Sequence, residues 1–264
     1  MMKSFLHTAI QAAIDGGKAI MEVYETDFDV MIKDDASPLT IADKNANAVI
    51  NEYLETTHVP IISEENTQLD YSERKEWTSC WMVDPLDGTK EFVKRNGEFT
   101  VNIALIEGGK PTLGVIYIPV TKMLYFTSED VTSSYKFEVD VEKEIVVQEI
   151  IENAVQIFPS EKSGPIKIVG SRSHLNEETK NFISTIEKEY TVDIVSRGSS
   201  LKFCVIAEGG AHIYPRFAPT MEWDTAAGHA ICKAVGVEVI DQETQKPLQY
   251  NKENLLNPYF LVNC

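Results

Sequence analysis

The chain has 264 residues, 43% of them hydrophobic and 25% charged, enough apolar material for a large core and too much for global disorder. Its 24 basic and 41 acidic side chains leave a formal net charge of -17, which repels polynucleotides and anionic lipid. A nucleic-acid polymer is therefore not an expected partner, whereas a small anion is acceptable if metal ions or a local basic cluster receive it.

Residues 4–24 carry apolar side chains at helical spacing, among them Phe5, Ala9, Ala12, Ala13, Ile20 and Val23, and predict an amphipathic helix. Ser37-Pro38 opens a second predicted helix running to about residue 57. A short strand is expected over 59–63, a polar loop over 66–78 and a buried strand over 80–83 that runs straight into Asp84. Strands over 99–107, 112–118 and 123–127, separated by turn residues, predict an antiparallel meander. The charge-rich stretch 131–165 gives no clear pattern. A division at 150/151 is placed inside it, between an N-terminal α+β half and a C-terminal α/β half. Beyond it, strands at 166–169, 192–195 and 211–214 alternate with helices at 177–189, 200–208 and 224–235. Strands at 237–240 and 259–262 finish a βαβ rhythm.

Cys80, Cys204, Cys232 and Cys264 form no CxxC pair and suggest neither a zinc site nor a disulfide framework. Residues 1–19 lack the apolar core of a secretory signal, and no window reaches membrane-spanning length. A cytoplasmic location is expected, with peripheral association at the cytoplasmic face of the inner membrane left open.

The sharpest motif is Asp84-Pro85-Leu86-Asp87-Gly88-Thr89. Pro85 fixes the turn, and two carboxylates with the Leu86 carbonyl between them can converge on one point. That is a hard oxygen donor set suited to Mg²⁺. Gly88 permits close backbone approach, and Gly88-Thr89 begins a short helix whose N–H groups can receive phosphate. Three other acids stand in company that makes them candidates: Glu64 in Glu64-Glu65 after a strand, Asp224 in Glu222-Trp223-Asp224-Thr225-Ala226-Ala227-Gly228, and Asp43 after Leu39-Thr40-Ile41-Ala42. Taken singly, a solvated pair, a helix N-cap and an exposed helical charge would account for them.

In this order and at this spacing, the segments resemble the Mg²⁺-dependent, lithium-sensitive phosphatases of the inositol monophosphatase superfamily. The stretch from Asp84 to Ile106 is similar to one branch, the CysQ-type 3′(2′),5′-bisphosphate nucleotidases. So are Ser171-Arg172-Ser173-His174, the segment from Gly198 to Cys204, and Tyr214-Pro215-Arg216-Phe217. The resemblance implies a layered αβαβα sandwich of the sugar phosphatase type, an α/β (α+β) fold with two intimately packed halves. It implies two or three Mg²⁺ ions. Glu64, Asp84 and the Leu86 carbonyl would hold one, and Asp84, Asp87 and Asp224 a second. Asp43 and Thr89, with Glu64 nearby, would orient and deprotonate the attacking water. Gly88, Thr89, Lys90 and Asp224 would border the substrate, and His174, Ser199, Lys202 and Arg216 would surround the nucleotide and its second phosphate. Lys90, Lys94, Arg95, Arg172, His174, Arg197, Lys202 and Arg216 lie in or beside these motifs, a basic cluster in an acidic chain.

The expected activity is hydrolysis of adenosine 3′,5′-bisphosphate to AMP and phosphate, with 3′-phosphoadenylyl sulfate a further substrate, in support of sulfate assimilation. A sister phosphatase acting on inositol phosphates or sugar bisphosphates is the first alternative. A metal-loaded nucleotide sensor is the non-enzymatic one, disfavoured by the intact Asp43 and Thr89. Monomer and homodimer both remain open.

Overall fold

The computed structural model describes residues 4–26, 30–32, 38–161, 164–170 and 176–264. Helix α1 (Phe5–Tyr24) starts at Ser4, whose hydroxyl accepts the His7 N–H at 3.3 Å, an N-cap that satisfies a donor with no intrahelical partner. Its apolar stripe and that of α2 (Ile41–Glu55) cover one face of a seven-stranded sheet. The strands are β3 (Ile61–Ser63), β4 (Ser79–Asp87), β5 (Thr100–Glu107), β6 (Lys110–Ile118), β7 (Met123–Thr127), β8 (Ser134–Glu138) and β9 (Val155–Ile157), ordered as numbered. β3 runs parallel to β4, and every later neighbour pair is antiparallel, which is the expected meander.

Both faces of this sheet are buried, so its central strands read as continuous apolar runs. Alternation divides them. Trp81, Val83, Val101, Ile103 and Tyr117 face α1 and α2, whereas Cys80, Met82, Ala104, Ile116 and Tyr125 face the other way. On that second side lie α7 (Leu201–Ala207) and α8 (Ala226–Ala234), then a second sheet in the order β11-β10-β12-β14-β13. Its strands are β10 (Ile166–Gly170), β11 (Val192–Ser196), β12 (Ile213–Arg216), β13 (Glu238–Asp241) and β14 (Phe260–Asn263). Helix α6 (Glu177–Ile186) closes the outer face, Ile183 meeting Ile166, Ile168 and Ile213. The result is the expected αβαβα sandwich. Each fully buried Leu, Ile or Phe contributes about 1.5–3 kcal/mol of transfer free energy, so the two inter-layer cores dominate the stabilisation.

Several local expectations are corrected. The second helix opens at Ile41, not at Ser37. Residues 38–40 form β2 (Pro38–Thr40), antiparallel to β1 (Val30–Ile32). The competing partner is the short strand just upstream, Ile32 pairing with Pro38 and Val30 with Thr40, and a local helix-start signal carries no information about that pairing. The loop expected over 66–78 contains a short helix, α3 (Tyr71–Arg74), and the strand expected to stop at Val83 continues through Asp87. The featureless stretch 131–165 holds β8, α5 (Val147–Asn153) and β9. The division placed at 150/151 falls inside α5, and sheet membership changes only between β9 and β10. In the second sheet, β10 pairs in parallel with β11 and β12 as the βαβ rhythm predicts, while β12, β14 and β13 are antiparallel.

Candidate active site

The Asp84–Thr89 hexapeptide begins in the bent end of an inner strand, β4, and runs on past it. Val83 pairs with Ile103 and Asp84 with Asn102, but the next pair is Asp87 with Thr100, so the register shifts across Pro85 and Leu86. Proline has no N–H to give the ladder, and a bulge is where a sheet tolerates it. The displaced Leu86 N–H instead donates to Asp84 Oδ1 at 3.1 Å. Gly88 follows at φ 97°, a left-handed conformation that costs glycine little, and a Cβ there would lie 3.2 Å from the Glu98 carbonyl. The chain then turns into α4 (Thr89–Val93), and Thr89 Oγ1 points back to the Leu86 carbonyl at 3.5 Å.

Three carboxylates from distant parts of the sequence meet here. Glu64, Asp84 and Asp224 each offer an oxygen within 4.8 Å of the others. Glu64 follows β3, where its N–H donates to the Val83 carbonyl and the adjacent Ser63 hydroxyl donates to Asn47 Oδ1 of α2. Asp224 is held by the segment before α8, and its Oδ2 accepts the Met221 N–H at 2.9 Å. It is not the N-cap expected from sequence, since Thr225 occupies that position. The segment is anchored two residues before Asp224. The buried Glu222 carboxylate accepts the Asn251 and Lys252 N–H groups and the Lys252 ammonium, and Arg74 fixes the same stretch through Asn251 Oδ1 and the Lys252 and Glu253 carbonyls.

Burial, then the charges of Glu64, Asp87, Asp224 and Asp43, push the Asp84 carboxyl well above the usual carboxylate range. Burial and Asp87 raise Asp224 to about 8, against the opposing Met221 N–H. Acids packed this closely repel one another and bind a cation or protons. The donors are all hard oxygens, with the Leu86 backbone beside them, and that chemistry fits Mg²⁺. Asp87 lines the same pocket but lies outside the tight trio. Its Oδ2 is taken by Ser199 Oγ at 2.6 Å, the Ser200 N–H at 2.6 Å and Asn102 Nδ2 at 3.4 Å.

The acidic pocket opens into a second one. The two share Asp87, Gly88, Lys90, Glu91 and Asp224, and the second adds Ser199, Lys202, Tyr214 and Arg216. Lys202 is buried, donates to the Ser199 carbonyl and lies 5.5 Å from the centre of the Tyr214 ring. Burial lowers its pKa to about 8, with Arg216 acting in the same direction and Asp87 opposing. Arg216 reaches the Pro219 carbonyl at 3.0 Å, while its Nε is buried with no hydrogen-bond partner among the described residues. An unsatisfied guanidinium N–H beside a buried ammonium makes a cradle for an anion.

The structure therefore brings Glu64, Asp84, Leu86, Asp87, Gly88, Thr89, Lys90, Ser199, Lys202, Arg216 and Asp224 around one continuous cleft. Asp43 is buried in the first turn of α2, near enough for its charge to act on Asp84. His174 and Arg172 lie outside the described residues. The basic cluster is smaller than expected. Arg95 spends its guanidinium on the Tyr24 and Thr26 carbonyls, Lys94 is exposed, and Arg197 is exposed and bonded to its neighbour's carbonyl. Sequence reasoning missed Glu222, Arg74 and Lys252, which hold Asp224, and Thr100, Asn102 and Ser200, which surround Asp87. The last group left a signal in Phe99-Thr100-Val101-Asn102-Ile103-Ala104, where two polar residues two apart interrupt an apolar strand on one face.

A layered sandwich with clustered acids at the broken end of an inner strand defines a class, and the comparison with known families agrees: the chain belongs to the inositol monophosphatase family, whose profile matches residues 1–259. Members of this family are metal-dependent phosphatases. It is 46% identical over 263 residues to the 3′(2′),5′-bisphosphate nucleotidase CysQ of Escherichia coli K12, covering 98% of this chain and 99% of that one. The crystal structure of CysQ from Bacteroides thetaiotaomicron superposes with a TM-score of 0.88 at 47% identity, over 97% of this chain and 96% of the other. The inositol monophosphatase of Thermotoga maritima shares the fold at a TM-score of 0.71 and 22% identity, over 96% and 89% of the two chains.

Proposed function

We propose that this protein is a Mg²⁺-dependent 3′(2′),5′-bisphosphate nucleotidase that converts adenosine 3′,5′-bisphosphate to AMP and phosphate, with 3′-phosphoadenylyl sulfate as a second substrate. The observation that carries this reading is the joining of two unlike compartments: an acidic one built on Glu64, Asp84 and Asp224, and a cationic one built on Lys202 and Arg216. A substrate with two phosphates needs both. Full-length similarity to a 3′(2′),5′-bisphosphate nucleotidase at 46% identity, and to the CysQ structure at 47%, supports it over an inositol or sugar phosphatase. A purely binding protein has no use for a buried Asp43 and a threonine at the mouth of the acidic pocket.

In this reading Glu64, Asp84 and the Leu86 carbonyl would hold one ion, and Asp84, Asp87 and Asp224 a second. Mg²⁺ bound there supplies positive charge to the phosphoryl oxygens and makes a nearby water more acidic. Thr89 and Asp43 would act as a pair, the threonine hydroxyl orienting the attacking water and the Asp43 carboxylate being the group that takes up its proton. Gly88 and Lys90 border the scissile phosphate. Ser199, Lys202 and Arg216 grip the other phosphate and fix the sugar between them, so that catalysis is positioning and charge neutralisation. Four cysteines that form no disulfide suit a reducing, cytoplasmic setting, and among the described residues no helix is long and apolar enough to cross a membrane.

Chromatography of products after incubation with adenosine 3′,5′-bisphosphate and Mg²⁺ tests the reading. AMP and phosphate are expected. Accumulation of adenosine 3′-phosphate, or full turnover in excess chelator, overturns it.

A further inference from the structure

Thr100, the first residue of β5, is fully buried and lines neither compartment of the cleft. Its hydroxyl nonetheless lies 3.1 Å from Asn102 Oδ1, 2.7 Å from Ser199 Oγ and 2.8 Å from Ser200 Oγ. Ser200 Oγ also donates to Asn102 Oδ1 at 2.7 Å. Beside this knot, the Gly198 N–H donates to Glu98 Oε2 at 2.9 Å. The segment 98–102 of the first sheet is thus laced to residues 198–200 at the start of α7. The lacing delivers the Ser199 hydroxyl and the Ser200 N–H to Asp87 Oδ2, both at 2.6 Å. Ser199 sits at φ 50°, a left-handed backbone that a serine adopts only when its surroundings hold it.

From this geometry we infer that Thr100 is a positioning residue: the Ser199 and Ser200 protons go to Asp87 and Asn102, so the single Thr100 proton is shared among the Asn102, Ser199 and Ser200 oxygens around it, and this keeps them placed to hold one oxygen of Asp87 and present the other to the acidic pocket. The same turn carries the Ser199 carbonyl that anchors the Lys202 ammonium, so one hydroxyl sets the spacing between the acidic and cationic compartments. The inference rests on the reading that Asp87 is a metal ligand. Partners that orient a ligand carboxylate typically change metal affinity or activity about 10- to 100-fold when lost.

The test compares Thr100→Val, which keeps shape and β preference but lacks the hydroxyl, with Thr100→Ser, which keeps the hydroxyl. Mg²⁺ affinity is read by titration calorimetry on the purified full chain, independently of turnover. kcat, KM and the Mg²⁺ concentration for half-maximal rate are read with adenosine 3′,5′-bisphosphate, and melting temperature with a dye. Thr100→Val should weaken Mg²⁺ binding about 10-fold or more and lower kcat by a similar factor, with Thr100→Ser within about 3-fold of wild type on both. Wild-type Mg²⁺ affinity and kcat in Thr100→Val overturn the inference, because the threonine is then only packing. Equal loss in both variants also overturns it, because the methyl group is then what counts. If wild type shows no turnover of nucleotide bisphosphates, the functional reading fails. The calorimetric difference between Val and Ser still decides the role of Thr100.

Discussion

Asp84 is the side chain on which the acidic site converges, since Glu64, Asp87, Asp224 and Asp43 all raise its proton affinity, a repulsion that bound cations would relieve. Changing Asp84→Asn should reduce kcat by about 10²- to 10³-fold or more, the scale of removing one principal electrostatic contact from a transition state. Asp224→Asn should chiefly raise the Mg²⁺ requirement. Wild-type turnover of Asp84→Asn at ordinary Mg²⁺ would show that the cluster is not the metal centre. On the cationic side, Lys202→Ala and Arg216→Ala should each cost about 10- to 150-fold on adenosine 3′,5′-bisphosphate, because a charge-assisted hydrogen bond to phosphate is lost, and far less on a substrate with one phosphate. The lysine also sets a pH limit. With its pKa lowered to about 8, its charge is present below that pH and lost above it, so KM for the bisphosphate should climb as pH rises through 8. A KM that stays flat to pH 9 would remove Lys202 from the phosphate site. The acids and Lys202 were legible in the sequence because they sit in compact motifs. Thr100, Arg74 and Glu222 were not, because their meaning lies in partners about 30 to 180 positions away.

At the scale of elements, legibility followed periodicity. α1, the meander strands β5 to β7, and α7 and α8 carry strong local patterns, and their expected bounds agree with the structure to within about two residues, whereas β4 runs on past Val83 to Asp87 and α6 stops at Ile186, short of 189. Ser37-Pro38 is a good helix start and argues for helix over residues 38–40, and only the pairing of β2 with β1 overrules that. β9 was invisible because a three-residue, largely exposed strand has no period to detect. The small residues after Asp224 allow close helix packing: a Cβ on Gly228 would come within 2.3 Å of the Phe203 ring across the α7–α8 contact. Gly228→Ala should therefore destabilise by about 1–3 kcal/mol through overpacking and lower the melting temperature by about 3–10 °C. An unchanged melting temperature would mean that α7 and α8 do not pack as described.

Across the whole molecule, the formal charge of -17 and the buried acids act together. Asp224 has a folded-state pKa near 8 against an ordinary value of 3.8, so between those limits the native chain binds more protons than the unfolded one. Metal-free stability should consequently fall as pH rises from about 4 to 8. Mg²⁺ should restore it, and should raise the melting temperature more at pH 7.5 than at pH 5.5, where protons compete for the same oxygens. An equal shift at both pH values would place Mg²⁺ elsewhere on the acidic surface. The central claim, that one cleft takes two phosphates by two different means, is tested most directly by a ratio. With the same enzyme preparation at saturating Mg²⁺, kcat/KM is measured for adenosine 3′,5′-bisphosphate and for inositol 1-phosphate. The account predicts a preference for the bisphosphate of about 10²-fold or more, as expected when charge-assisted contacts to a second phosphate are available to only one substrate. A ratio near one, or one favouring inositol 1-phosphate, would contradict it.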